Sequence, residues 1–113
     1  MIKIYHNNRC SKSRCGLQIL EDSGKEFEVV TYLEDIPTVK ELKEIIELLG
    51  ISPIDLVRKN EAIWKENYKG TTLTGSEIIE AMVNNPKLIE RPIIINGNKA
   101  VIGRPPEKIH GIL

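Results

Sequence analysis

Cys10 sits in the run His6-Asn7-Asn8-Arg9-Cys10-Ser11-Lys12-Ser13-Arg14-Cys15, where a short apolar stretch, Ile2 to Tyr5, gives way to a polar turn and then to helical patterning. A helix N-terminus exposes unpaired backbone N–H groups and the positive end of the macrodipole, and both favour thiolate over thiol. Arg9, Lys12 and Arg14 add positive charge to the same turn. Two more cations, Arg91 and Arg104, flank a candidate hairpin. With Gly97-Asn98 as its loop, Arg91 falls opposite Arg104. With Asn96-Gly97 as the loop, Arg104 moves by two positions and keeps its face, because side chains alternate with period two. Like charges opposed across strands are destabilising unless something negative lies between them. A thiolate and a guanidinium pair together describe nucleophilic attack on an oxyanion. Each guanidinium can hold two oxygens, and an ion pair at ~4 Å and an effective dielectric of ~20 is worth about 4 kcal/mol before desolvation, enough to offset the repulsion between two anions.

The elements that must position these groups follow from the patterning. Residues 1–5 read as a strand, Ser13 to Ser23 as a helix closed by Gly24, and Phe27 to Leu33 as a second β-rich run, together a βαβ unit with parallel strands and a right-handed crossover. Thr38 and Glu41 form a candidate capping box for a helix with Val39, Leu42, Ile45, Ile46 and Leu49 on one face, stopped by Gly50. A helical turn from Pro53 to Val57, a weak helix over 61–67 around Trp64, and a helix capped by Thr74 and Glu77 complete an all-helical middle segment. Strands Pro92 to Asn96 and Lys99 to Gly103 then form the hairpin, and Pro105-Pro106 opens a last short helix. Arg91 and Arg104 both precede proline, which biases each towards extended backbone, and Arg91-Pro92 is a candidate cis peptide beside the thiol. This order predicts an α/β thioredoxin-like domain spanning 1–113, with a four-stranded mixed sheet and a helical insertion at about 37–86.

Composition narrows the function. The chain of 113 residues has 41% hydrophobic content, enough for a core without staples, and 16 Lys plus Arg against 16 Asp plus Glu offer nucleic acid no basic surface. No apolar stretch nears the ~20 residues of a membrane span, and no signal-peptide order opens the chain. A cytoplasmic monomer is therefore expected. Two cysteines in that compartment suit free, catalytic or redox-cycling thiols.

Several motifs fail usefully. Gly16 breaks the C-x5-R spacing of low-molecular-weight phosphatases, and Ser13 replaces the second thiol of C-x-x-C. The segment from Gly70 to Ser76 lacks the lysine of a phosphate-binding loop, and His6, Cys10, Cys15 and His110 lack the spacing of a zinc site, so no metal is expected. Trp64 reads as core and His110 as a helix-end residue. His6 reads as a support for the thiol, through a hydrogen bond or a loop cap. Cys15 reads as a half-buried helix residue. In an ideal helix residues five apart have α-carbons roughly 8.5 Å apart, beyond the ~7 Å limit for a disulfide, so pairing with Cys10 is not expected.

The run Tyr5-His6-Asn7-x-x-Cys10 with Ser13-Arg14, then Leu56-Val57-Arg58-Lys59-Asn60, then Ile89-Glu90-Arg91-Pro92-Ile93, and finally Gly103-Arg104-Pro105 resembles the glutaredoxin-coupled arsenate reductase family, the ArsC-like branch of the thioredoxin superfamily. The resemblance covers nearly the whole chain, in order. It implies that Cys10 attacks arsenate and that Arg58, Arg91 and Arg104 hold the oxyanion, with Ser13, Arg14 and Pro92 in support. It also implies that glutathione, a co-substrate rather than a bound cofactor, resolves the adduct and that glutaredoxin reduces the mixed disulfide. Asn8 stands where the family usually has proline, and Cys15 where it commonly has a polar residue, which makes Cys15 a candidate resolving thiol. Two other readings remain: a general thiol–disulfide redox protein whose arginines hold glutathione carboxylates, and a regulator of the Spx type that binds RNA polymerase.

Overall fold

The computed structural model describes all residues, Met1–Leu113, which divide into two compact units: Met1–Asp35 with Arg91–Leu113, and Ile36–Glu90. The first unit carries the sheet, built from β1 (Ile2–Tyr5), β2 (Phe27–Val30), β3 (Ile93–Asn96) and β4 (Lys99–Ile102) in the order β2-β1-β3-β4. β1 runs parallel to β2 and antiparallel to β3, and β3 runs antiparallel to β4, so the sheet is mixed and the fold α/β and thioredoxin-like. The second β-rich run ends at Val30, short of Leu33. Its partner strand stops at Tyr5, opposite Val30, and the chain turns through Thr31, whose carbonyl accepts from the N–H groups of Glu34 and Asp35.

α1 (Ser11–Ser23) begins two residues earlier than the patterning suggests, because Cys10, with extended backbone (φ −100°, ψ 121°), serves as its N-cap and accepts the Arg14 N–H at 3.0 Å through its carbonyl. Gly24 ends the helix at φ 72°, a left-handed conformation that costs glycine little. The buried side of α1 is Ser13, Gly16 and Leu20, spaced as one stripe of a 3.6-residue period. Ile2, Ile4, Leu20, Ile94 and Ile109 form the core of this unit, with Leu17, Phe27 and Val101 against them. Ile109 comes from a 3-10 helix, Pro106–Ile112.

The register Asn96↔Lys99 makes Gly97-Asn98 the hairpin loop, and Gly97 alone takes positive φ (63°), as the first position of a type II′ turn requires. Pro92 lies fully buried between two glycines: a Cβ on Gly103 would stand 2.9 Å from Pro92 Cγ, and one on Gly16 would stand 3.0 Å away. Only hydrogen at both positions lets α1, the end of the hairpin and Pro92 approach this closely. Arg91-Pro92 is cis, and so is Arg104-Pro105, which the sequence reading did not anticipate.

The second unit is helical: α2 (Val39–Leu49), α3 (Ala62–Asn67) and α4 (Gly75–Asn84), with short 3-10 turns at Pro53–Leu56 and Pro86–Leu88. Thr74 and Glu77 close a full capping box on α4. On α2 the box is half made. The Thr38 hydroxyl accepts the Glu41 N–H at 3.1 Å, while the Glu41 carboxylate takes that hydroxyl's hydrogen at 3.2 Å. Leu42, Ile45 and Ile46 fill the α2 side of the core, whereas Val39, in the first turn, is exposed. An isolated bridge between Val57 and Ile89, flanked by Arg58 N–H to Leu88 (2.7 Å) and Glu90 N–H to Leu56 (2.8 Å), ties the segment around Arg58 to the segment around Ile89 within this unit. No helix is long and apolar enough to cross a membrane.

Candidate active site

In the sheet-bearing unit the thiol of Cys10, 9% exposed, meets the far end of the hairpin. Arg104 Nη2 donates to Cys10 Sγ at 3.3 Å, and Arg104 Nε donates to the Arg91 carbonyl at 2.7 Å. The second contact follows from register. The pairing that sets Ile93 against Ile102 continues through Gly103 N–H to the Pro92 carbonyl (2.8 Å), so Arg91 and Arg104 come level at the strand ends. The hairpin thus delivers one guanidinium to the sulfur and fixes its fork on a backbone carbonyl 13 residues upstream.

The thiol sits below its ordinary pKa. Burial works against the thiolate, and four stabilising contacts outweigh it: the Ser13 N–H, a hydrogen bond from the Arg91 guanidinium, the charge of that guanidinium, and the Lys12 N–H. The sulfur closes no full N-cap hydrogen bond, so the two N–H groups act as oriented dipoles at the helix start. Both hairpin arginines therefore bear on one sulfur, Arg104 by direct hydrogen bond and Arg91 by charge and hydrogen bond.

Beneath the thiol loop, His6 (3% exposed) and Ser13 (0%) are the buried polar residues. His6 Nδ1 lies 2.7 Å from Ser13 Oγ, and Ser13 Oγ also accepts the Asn7 N–H at 2.9 Å. Asn8 Oδ1 lies 2.7 Å from His6 Nε2, and the Asn8 carbonyl accepts from Arg14 Nη1 at 2.8 Å. Asn7 closes the turn, its carbonyl accepting the Cys10 N–H and its Oδ1 the Arg9 N–H, both at 3.0 Å. Arg14 is exposed and ties the loop through the Asn8 carbonyl. Asn7 and Asn8 are the residues the sequence reading missed as loop builders. Two adjacent asparagines before a helix are the signal that would have found them.

Cys15 is exposed, not half-buried as the patterning suggested. At ~100° per residue it stands roughly 200° round the helix from Ser13, on the side opposite the buried stripe of Ser13, Gly16 and Leu20. Both cysteines are free thiols. Arg58 belongs to the second unit, where its guanidinium pairs with Glu61 (3.5 Å) and Glu90 (3.6 Å). No group of three or more His, Cys, Asp or Glu side chains is arranged to hold a metal ion.

A thiol-bearing helix N-terminus under two hairpin arginines invites comparison with known proteins. The family model described as the ArsC family matches residues 5–112. The chain belongs to the ArsC family. Among relatives of this ArsC-family chain, an arsenate reductase of Neisseria meningitidis serogroup A is 41% identical over 99% of this chain and 97% of its own. An uncharacterised protein of Escherichia coli K12, YfgD, is 47% identical over 96% of this chain and 92% of its own. Among solved structures, an arsenate reductase from Vibrio cholerae superposes with a TM-score of 0.94 at 42% identity, covering 99% of this chain and 97% of that one.

Proposed function

We propose that this ArsC-family chain reduces arsenate to arsenite, with Cys10 as nucleophile and glutathione with glutaredoxin as the electron source. The observation that carries the proposal is the buried Cys10 sulfur 3.3 Å from Arg104 Nη2, with its pKa lowered in part by Arg91. The relatives named as arsenate reductases supply the substrate class.

Sγ attacks arsenic, forming an S–As bond and expelling one arsenate oxygen, which leaves as water once protonated. The Arg91 and Arg104 guanidiniums neutralise the charge of the oxyanion as it nears the thiolate. A glutathione thiolate then attacks the Cys10 sulfur. A disulfide forms, the S–As electron pair leaves with arsenic, and As(V) becomes As(III). Glutaredoxin removes the glutathionyl group by thiol–disulfide exchange and restores the Cys10 thiolate. Exposed Cys15 stays outside this cycle, since the co-substrate thiol does the resolving.

NADPH consumption coupled through glutathione reductase tests the reading. Turnover is expected only when arsenate, glutathione and glutaredoxin are all present, and it persists in Cys15→Ser. Turnover with thioredoxin replacing glutathione and glutaredoxin would overturn the donor assignment. Absence of arsenate reduction with every donor, alongside reduction of a small disulfide, would replace the proposal with a general thiol–disulfide activity.

A further inference from the structure

The imidazole of His6 is buried with both ring nitrogens engaged, and the residue that completes it is Asn8, which is exposed. The contacts at Ser13 show which nitrogen carries the proton. Its Oγ already accepts the Asn7 N–H (2.9 Å), and its one hydroxyl hydrogen has His6 Nδ1, 2.7 Å away, as its acceptor. Nδ1 must then be unprotonated, so Nε2 bears the hydrogen and donates it to Asn8 Oδ1 at 2.7 Å. The opposite tautomer would press a second N–H on Ser13 Oγ and turn the hydroxyl hydrogen away from that acceptor, inside a side chain with no solvent exposure.

We propose that Asn8 is a positioning residue for the thiol: its side-chain carbonyl fixes the Nε2–H tautomer of His6, which holds Ser13 so that the Ser13 N–H stays aimed at the Cys10 sulfur. The side-chain contacts run without a break from Asn8 Oδ1 through the imidazole to Ser13 Oγ, and the N–H of that same serine lies in the first turn of α1, three positions after Cys10. Asn8 also grips from its main chain, its carbonyl holding Arg14 at 2.8 Å across the first turn of α1. A polar side chain here supplies by hydrogen bonding the loop rigidity that a proline would supply by ring closure, and adds an acceptor that proline lacks. The inference rests on Cys10 being the nucleophile proposed above, yet its test needs no turnover.

Long-range proton–nitrogen NMR of the reduced Cys15→Ser protein reads the His6 tautomer, and thiolate ultraviolet absorbance against pH reads Cys10. Asn8→Leu, close in shape but without an acceptor, is expected to lose the single Nε2–H signature. It also raises the Cys10 midpoint by ~0.5 to ~1 unit, about threefold to tenfold less thiolate below the midpoint. Asn8→Asp, which keeps the acceptor, restores the Nε2–H tautomer. Neither change touches Arg91 or Arg104, which face the sulfur, or Arg9, Lys12 and Arg14 of its own turn; because Asn8→Asp adds a carboxylate there, that variant is read by its tautomer alone. A wild-type His6 protonated on Nδ1 would overturn the inference whatever the variants do. So would an Asn8→Leu protein with an unchanged tautomer and midpoint, and either result would leave arsenate reduction to stand or fall on its own assay.

Discussion

Cys10→Ser protein is expected to fold and to reduce no measurable arsenate in the coupled assay. An alkoxide in place of the thiolate lies far beyond what two guanidiniums and two N–H dipoles can stabilise near neutral pH, and no S–As bond can form. The same variant reports on stability. Because the folded-state pKa of Cys10 is depressed, its thiolate contributes stability that is fully present above the unfolded thiol value and is lost as pH falls through the folded value. Cys10→Ser should therefore be less stable than wild type in alkaline buffer and approach it as the pH drops. Denaturant midpoints across that range measure the difference. A gap that widens towards acid would contradict the depressed pKa, and retained turnover would remove Cys10 from the mechanism.

The second large effect belongs to the hairpin arginines. Arg91→Ala and Arg104→Ala should each lower kcat/KM for arsenate about a hundredfold, which corresponds to ~2.7 kcal/mol of lost transition-state stabilisation. Arg104 does two jobs, donating to Cys10 Sγ and, through Nε, to the Arg91 carbonyl. Its removal loosens the strand end that presents Arg91 as well, so the losses should not add in the double variant. Arg104→Lys keeps the charge and loses the fork, and should recover less than tenfold of the loss. Steady-state kinetics at saturating glutathione and glutaredoxin decide the matter. Near wild-type kcat/KM in both single variants would show that neither guanidinium meets the oxyanion.

Much of the fold was legible because its signals are local. The apolar strand before Cys10, Gly24 after the first helix, Thr74 with Glu77, and the Gly97-Asn98 loop each specify a boundary through backbone chemistry within a few residues. The approach of Arg91 and Arg104 was legible by parity alone, since any two-residue loop leaves them on one face. What escaped depends on tertiary contact. Arg104 reaching Cys10, 94 positions away in sequence, needs the hairpin in the sheet beside β1. Gly16 and Gly103 carry no side-chain signal, and their role emerges only when Pro92 is found between them. The network of Asn7, Asn8, His6 and Ser13 follows the path of an irregular loop, which no periodicity describes. Cys15 was misread for another reason. The helical period places it away from Ser13, Gly16 and Leu20, but a stripe containing serine and glycine does not look apolar until its packing is seen.

The account stands on the ionisation of one buried sulfur, and the pH dependence of alkylation by iodoacetamide in a Cys15→Ser background measures it directly, with Cys10 the sole thiol. The rate should rise through an inflection below the ordinary thiol value of ~8.5, and Arg104→Ala should move that inflection upward. An inflection at or above the ordinary value, indifferent to Arg104, would contradict a thiolate held at the helix N-terminus by the hairpin guanidiniums.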